Sequence, residues 1–478
     1  MKKYGIIAIV LLLIATSGIG AAHQTINKLK DDVTVTETVL TGDKSAAEGI
    51  TVTTKTRYAA MPLYWETNYT TGDDTSLTCA FQYKDNKKAD REFTVPGEYS
   101  TDIYFEIGPD DYEWWEDGNG EEAGYFPEEA VQAVIEKTSP GTTHKETVML
   151  NDYMQNYRVQ LLGSFIDENG FLISISDDEQ AAQYFTMPII KKNIWTVQVQ
   201  KNQSGTPISV DIEPVTPITI YNASTMDDQA IYLFLTDMTA YSKETEENWQ
   251  VSLPKNMCGL HRIPYQKDSQ HSGRDYILDF SQAKLVCQME QGAKVFQPEF
   301  SDDEKELRFF MQKDKEVSFV IMNKETFTIK QKIHLPYQGN DFLPDGFTLI
   351  ENEEQNQMLM VFDDNRFCLL TKNKAGDYQL VLTDKLLQIN PHDYFARGDD
   401  IAWSYDGNRL VFACLTAKTK DSGTIGSSYQ LSVYENKQLI YAGFFENSLD
   451  YVGDFIEDGP TSESIIDDPI TLSVPSAP

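Results

Sequence analysis

The sequence is poor in the residues and motifs that catalytic and metal sites use most often. It has 5 cysteines and 6 histidines in 478 residues, and no two cysteines form a CxxC pair. The GxSxG, HExxH, GxGxxG and Walker A patterns are absent as well. These absences exclude the common zinc, serine-hydrolase and nucleotide-binding signatures. We therefore assign no catalytic, cofactor-binding or metal-binding residue, and no cofactor, from the sequence.

Positive charge is scarce too. The chain carries 40 Lys and Arg against 74 Asp and Glu, which leaves a formal net charge of -34. A surface this acidic repels the phosphate backbone, so a nucleic-acid partner is not expected. The charge favours solubility and mutual repulsion, and it leaves open the recruitment of cations or basic partners.

Long apolar runs are missing except at the N-terminus. Lys2 and Lys3 precede an uncharged run, Tyr4–Ala22, that ends in small residues. This pattern is typical of a cleaved secretory signal or of an uncleaved transmembrane anchor, and we assign it to residues 1–22. The two lysines favour a cytoplasmic amino end. The protein is therefore predicted to be extracytoplasmic, either attached to the membrane or secreted after cleavage.

Composition divides the rest of the chain into three parts. Residues 23–50 are polar and have no helical stripe, so they are predicted to form a stalk. Residues 51–452 form the body. Residues 453–478 are acidic and contain proline, and they are predicted to be a mobile tail or a loosely docked strand.

The body has the periodicity of an all-β protein. Short runs rich in Val, Ile, Phe, Tyr and Thr alternate with Asp, Asn and Gly clusters that are typical of tight turns. Cys368 and Cys414 lie in such apolar runs and are predicted to be buried thiols. One helix is expected near residues 127–138, because Pro127 and two glutamates precede apolar residues at helical spacing.

One segment of the body is repeated. The segments "FSDDEKELRFFMQ" (Phe300–Gln312) and "WSYDGNRLVFACL" (Trp403–Leu415) align when Asp303 is placed on Asp406. A third copy is proposed at Phe342–Ile350. Two weaker copies have the turn acids Glu168 and Asp228.

The copies predict a β-propeller of about six to eight blades. In each copy the acid should close a turn, the aromatic should pack between neighbouring sheets, and the inner strands should be apolar on both faces. The alternative that the sequence leaves open is a pair of β-sandwich domains.

The Ser-x-Asp-Gly motif at Ser404–Gly407 resembles the repeat of TolB-like β-propellers. About thirty residues of the chain carry this resemblance, and the chain departs from the repeat at Glu304, where glycine is usual, and at Leu343, where serine is usual. The resemblance implies a propeller fold and an extracytoplasmic binding or scaffolding role. It does not imply a substrate.

Three segments outside the repeats are candidate contact regions. Asp117–Glu128 places oxygen donors at the spacing of an EF-hand-like calcium loop, but Glu122 stands where the sharp turn requires glycine, so an acidic surface loop is favoured. Trp114 and Trp115 form a possible recognition patch for a sugar or a protein. Residues 242–275 form a long insertion, and loops on a rigid scaffold often carry function.

The favoured function is a binding, sensing or scaffolding module at the cell surface, with a protein or a surface polymer as its partner. The alternative is a hydrolase or lyase that uses paired carboxylates on a surface polymer. With 74 acidic residues, the sequence does not select such a pair.

The N-terminal assignment can be tested with a reporter. Residues 1–30, fused to an exported reporter enzyme, should place that reporter outside the membrane. Reporter activity in fractionated cells measures the outcome. Recovery of the intact full-length protein in the cytosolic fraction would contradict the assignment.

Overall fold

The chain folds almost entirely into β-strands, as the computed structural model shows. The structure describes all residues except 1–14, 22, 25–26, 29, 58–62, 73–74, 84–101, 108–125, 158, 167–171, 177–179, 191–192, 217, 243–246, 268–275, 302, 339–346, 353, 363, 388–400, 418–424, 449–469 and 476–478. There are two compact units, residues 1–89 with 344–478 and residues 90–343. The prediction of an all-β protein is confirmed.

The first unit contains three antiparallel sheets. Its strands are β1 (Val35–Gly42), β2 (Thr51–Arg57), β3 (Leu63–Thr70), β4 (Ser76–Tyr83), β23 (Phe347–Asn352), β24 (Gln357–Phe362), β25 (Arg366–Lys372), β26 (Tyr378–Lys385), β27 (Ile401–Tyr405), β28 (Arg409–Ala417), β29 (Ile425–Glu435), β30 (Gln438–Asn447) and β31 (Ile470–Ser473). The strand orders are β31-β2-β3-β4, β1-β30-β29-β28-β27 and β23-β24-β25-β26. A 3-10 turn, Lys44–Ala47, follows β1.

The second unit has more varied sheets. Its strands are β5 (Asp102–Ile107), β6 (Thr143–Met149), β7 (Asn156–Tyr157), β8 (Val159–Ile166), β9 (Leu172–Ser176), β10 (Met187–Pro188), β11 (Ile194–Lys201), β12 (Pro207–Pro214), β13 (Ile218–Met226), β14 (Ala230–Ser242), β15 (Glu247–Val251), β16 (Gly259–Lys267), β17 (Tyr276–Leu278), β18 (Lys284–Gln288), β19 (Lys294–Phe300), β20 (Glu306–Lys313), β21 (Glu316–Asn323) and β22 (Ile329–Gln338). Its helices are α1 (Glu128–Lys137) and α2 (Ala181–Tyr184), and a 3-10 turn spans Leu150–Asp152.

The strands of the second unit pair in four groups. Strands β19-β20-β21-β22 form one antiparallel sheet, and β12-β11-β6 form another. The order β13-β14-β16-β17-β9-β8-β5 forms a large sheet in which β15 pairs with β14 and β18 pairs with β16. Strands β9 and β17 are parallel, and β7 pairs with β10.

The β1-β30-β29-β28-β27 sheet is the middle sheet of the first unit, and it is buried on both faces. Val411 and Leu431 on one face pack against Val52 and Ile470 of the β31-β2-β3-β4 sheet. On the other face, the aromatic rings of Phe412 and Tyr434 pack against Phe367 of the β23-to-β26 sheet. A two-sheet sandwich leaves one face of each sheet in solvent. This stacking therefore does not fit the sandwich alternative.

The second unit repeats this face-to-face packing. Leu307 and Phe309 of β20 pack with Phe234 and Leu260 of the large sheet in one core cluster. The next residue, Phe310, is also fully buried, although side chains alternate between the faces of a strand. Strand β20 is therefore buried on both faces, although Arg308 shares the face of Phe310. In β28 the run 410–415 is buried on both faces and wholly apolar, as the continuous runs of the sequence predicted.

One strand from the N-terminal region and one from the C-terminal region are built into the first unit. β1 pairs with β30, so an N-terminal strand extends a sheet formed late in the chain. β31 pairs with β2, so a C-terminal strand completes a sheet formed early in the chain. The stalk prediction is therefore wrong over residues 35–50, where Ala47 and Ile50 are fully buried. In the tail, residues 470–473 form a paired strand, and residues 453–469 lie outside the described residues.

The strongest pair of repeats has the predicted turns. The Asp406 carboxylate accepts hydrogen bonds from the amides of Asn408 and Arg409, at 2.9 and 2.8 Å. Asp303 accepts from the Lys305 amide at 3.2 Å and from the Ser301 hydroxyl at 2.9 Å. These are the side-chain-to-backbone bonds that make aspartate a turn residue.

The repeat aromatics also lie where the alignment expects them. Phe300 is half-buried, and the edge of its ring meets Tyr232 of the neighbouring sheet with 5.1 Å between ring centroids. Trp403 is half-buried against the cluster between the β23-to-β26 sheet and the middle sheet.

The register of one weak copy is wrong by one residue. Asp228 is exposed, whereas the Asp227 carboxylate is buried and accepts from the amides of Gln229 and Ala230 at 2.9 and 2.8 Å. Asp227 therefore occupies the position of Asp406. Asp228 is the adjacent acidic residue, and the two turn amides donate to Asp227 instead.

The third copy does not occupy an equivalent place. Residues 345–346 were aligned as its turn and lie outside the described residues, and the following strand, β23, is the first of its sheet. In the two strong copies the turn precedes the second strand. The corresponding strand here is β24, which follows a turn where Asn356 has a φ of 55°. Glu168, the turn acid of the other weak copy, lies outside the described residues, between β8 and β9.

Other local predictions agree with the structure. The helix expected near 127–138 is α1, and it buries Ala130, Val131 and Val134. Cys368 and Cys414 are buried thiols, and no disulfide bond joins any of the five cysteines, all of which the structure describes.

The N-terminal segment is described only in part. Residues 15–21 are helical, and residues 1–14 lie outside the described part. Within the described residues, no helix has the length and apolar character that a membrane crossing requires.

The two turn aspartates should differ in their contribution to stability. Asp406→Ala removes a turn cap and should lower the free energy of unfolding by about 1 kcal/mol. Asp227→Ala should cost about 3 kcal/mol, because it also removes a partner of the largely buried Lys324 ammonium. Equilibrium denaturation of the full chain measures both values. Equal losses would contradict this account of Asp227.

Candidate functional site

A cluster of charged side chains lies where three turns of the second unit meet. Lys324, after β21, places its Nζ 2.9 Å from Oδ2 of Asp227 and 2.8 Å from Oε2 of Glu304. The Tyr232 hydroxyl donates to the same Asp227 oxygen at 2.8 Å. The Lys324 ammonium also lies 4.4 Å above the ring of Phe300. These contacts join the turn before β14 to the sheet formed by β19 to β22.

The charged forms of Asp227 and Lys324 are both stabilised in this cluster. Burial opposes the charge on Asp227, but hydrogen bonds from Lys324, the Gln229 amide and Tyr232 outweigh it and hold its pKa below the usual value. Burial also opposes the charge on Lys324, but bonds to Glu304 and Asp227 raise its pKa. A nucleophilic lysine needs a lowered pKa. The cluster is therefore a set of internal ion pairs.

Glu304 explains one departure from the glycine-containing repeat. Its φ is 53°, and Gly407 takes the equivalent place with a φ of 103°. A side chain in this left-handed region costs about 1 kcal/mol or more, which glycine avoids. The bond from Lys324 to the Glu304 carboxylate offsets this cost. Glu304 thus contributes to the contact between neighbouring sheets.

A buried histidine lies in the other core of the second unit. His261 is fully buried, with Nδ1 3.1 Å from the Tyr184 hydroxyl and Nε2 2.9 Å from the Met257 carbonyl. The ring of Phe185 packs edge-on against it, with the centroids 5.0 Å apart. Burial lowers the pKa of His261 to about 4. The imidazole is therefore neutral at pH 7 and acts as a core residue.

The same core forms the floor of an open groove of about 350 Å³. One wall comes from β10 and the residues after it, and the other comes from β14 and the end of β15. The lining residues are Met187, Pro188, Ile189, Ile190, Met238, Val251, Ser252, Leu253 and Pro254. None of these nine side chains is ionisable and only Ser252 is polar, so the groove can hold an apolar group.

Two proline-containing segments shape the groove. Pro188 lies within one wall and Pro254 ends the other. Proline removes a backbone donor while keeping the local chain extended or turned. Met187, Met238 and Leu253 are buried beneath it, whereas Ser252 is exposed. A buried floor with an exposed rim is the form of a preformed binding surface.

Sequence reasoning located this groove only in part. The insertion 242–275 was a candidate contact region, and it supplies the wall from Val251 to Pro254. The opposite wall, Met187–Ile190, is about sixty residues earlier in the chain and had no signal of its own. Trp114, Trp115 and the loop 117–125 lie outside the described residues. The described part of the chain contains no group of three or more His, Cys, Asp or Glu residues placed to hold a metal ion.

Comparison with known proteins gives loose structural similarities only. No protein-family model and no curated protein matches the chain. The chain is similar to the periplasmic gluconolactonase of Pseudomonas aeruginosa, at 11% identity over 84% of this chain and 96% of that one, with a TM-score of 0.26.

Two other similar structures are propeller domains. The β-propeller domain of Cps50 from Myceliophteria thermophila is 9% identical over 64% of this chain and 87% of that one, with a TM-score of 0.22. The WD40 domain of SCAP from fission yeast is 8% identical over 87% of both chains, with a TM-score of 0.22. Overlaps this loose do not assign a function.

Protonation of His261 should make stability depend on pH. Because the folded pKa is about 4 and an unfolded histidine titrates near 6.5, stability is fully present above about pH 6.5 and falls as the pH drops towards 4. The loss should approach about 3 kcal/mol. Equilibrium unfolding of the full chain between pH 7 and 4.5 measures this loss, and His261→Gln should flatten the profile. An unchanged slope in the variant would contradict this role for His261.

Proposed function

We propose that this protein is a non-enzymatic binding scaffold on a β-propeller of the TolB-like kind. The face-to-face stacking of the sheets supports this fold, as does the incorporation of β1 and β31 into sheets of the first unit. Edge strands of neighbouring sheets also lie side by side within each unit, β13 beside β19 and β27 beside β31. That is the arrangement expected where inner strands of neighbouring blades approach a common axis.

The groove is the observation that carries the binding function. Its apolar lining, buried floor and exposed rim suit an apolar segment of a partner protein. The charged clusters of the interior are occupied by pairing between sheets. A rigid scaffold that presents a groove of this kind is suited to recognition, because binding residues commonly lie on segments that such a scaffold positions.

We place this activity outside the cytoplasm. The basic residues and apolar run of residues 1–22 support export, with the body either tethered to the membrane or secreted. The net charge of -34 supports mutual repulsion at a crowded surface.

A groove-blocking variant tests the binding function. Ser252→Arg places a long charged side chain at the exposed rim, and Ser139→Arg is a matched change at an exposed position that does not line the groove. The full-length proteins would be immobilised and exposed to surface material of the producing cell. A component retained by the wild type and by Ser139→Arg should be retained at least tenfold less by Ser252→Arg.

Two outcomes would contradict the proposal. Equal retention by both arginine variants would show that the groove is not the binding surface. Turnover of a surface polysaccharide or peptide by the purified chain, lost on substitution of one or two acidic residues, would favour the hydrolase or lyase alternative. Circular dichroism of both variants checks that the fold is intact.

A further inference from the structure

We propose that the groove binds an extended polypeptide segment that adds as an antiparallel strand to β15. The segment would carry an acidic residue near its amino end, apolar residues at alternate positions and a basic residue near its carboxyl end. This inference rests on the proposed binding function, and it names the mode of recognition and the chemistry of the partner.

The edge of β15 provides the backbone template. Among the described strands, β15 pairs only with β14, from Val251 opposite Met238 to Glu247 opposite Ser242. Its other edge is therefore open to the formation of a further ladder. A peptide that adds to such an edge gains main-chain hydrogen bonds, which are independent of its side chains.

The groove provides the side-chain specificity. It begins at Val251, the last residue of β15, and continues through Pro254. In an added strand, alternate side chains point to the same face. An apolar cavity of about 150 Å³ is enough for a benzene-sized group, so a groove of about 350 Å³ has room for about two apolar side chains.

Two exposed charges give the bound segment a direction. Lys255 follows the groove wall at Pro254, and Glu247 is the first residue of β15. The amino end of an antiparallel strand would lie near Lys255, and its carboxyl end would lie near Glu247. An acid at the first end and a base at the second complement these two charges. The reverse arrangement places like charges together at both ends.

A pair of synthetic peptides tests the direction and the apolar pattern. The matched peptide is Glu-Ile-Thr-Val-Thr-Thr-Thr-Lys with blocked termini, and the control exchanges its first and last residues. Fluorescence anisotropy of labelled peptides with the full chain measures binding. At low salt the matched peptide should bind about fivefold tighter, because each exposed ion pair has a small effect. The preference should shrink as salt is added.

Reversing the two charges of the protein tests the same direction of binding. The double variant Glu247→Lys with Lys255→Glu should prefer the control peptide by a similar factor. Both positions are exposed, so the exchange should not disturb the core. An unchanged preference in the double variant would overturn the assigned direction.

An N-methylated peptide tests strand addition itself. Methylation of alternate amides facing β15 removes the peptide's main-chain donors but keeps its side chains. Loss of two hydrogen bonds should weaken binding at least tenfold. Equal binding of the methylated peptide would overturn strand addition.

The failures of the two proposals are distinguishable. If Ser252→Arg abolishes retention of the cell-surface component but neither peptide binds the wild type, the groove binds a partner of other chemistry and this inference fails. If Ser252→Arg also leaves that retention unchanged, the proposed function fails with it.

Discussion

Face-to-face packing between sheets is the constraint on which the rest of this structure depends. Central strands such as β28 are apolar on both faces, so an isolated sheet would expose one apolar face to water. In the first unit the middle sheet solves this by packing on both sides, with Phe412 on one face and Val411 on the other. The capped turns, the strands β1 and β31 and the charged cluster of Lys324 are all positioned by this packing.

The buried ion pairs depend on the same packing. Lys324 reaches Asp227 only because the sheet formed by β19 to β22 packs against the sheet that contains β14. The buried charges of Lys324 and Asp227 stabilise each other, because an unpaired charge inside a protein is strongly unfavourable. The left-handed backbone of Glu304 is tolerated in this setting. A cluster with catalytic residue types therefore has a structural explanation.

The groove has a different origin. Its walls come from two segments that are distant in sequence, and its floor is the top of the core that contains His261 and Phe185. The groove exists where β15 ends and no further described strand covers it. A binding surface at such a position combines an apolar recess with an open strand edge, and the proposed mode of recognition uses both.

The sequence by itself determined the features that depend on nearby residues. Strand periodicity, the turn caps at Asp303 and Asp406, helix α1 and the buried thiols of Cys368 and Cys414 follow from side-chain chemistry within a few positions. Only the tertiary structure decided that Asp227 and not Asp228 caps its turn, that residues 35–42 form a strand and that Met187–Ile190 faces Val251–Pro254. Those outcomes depend on pairing between segments distant in the chain, and local composition does not encode which distant strand a segment meets.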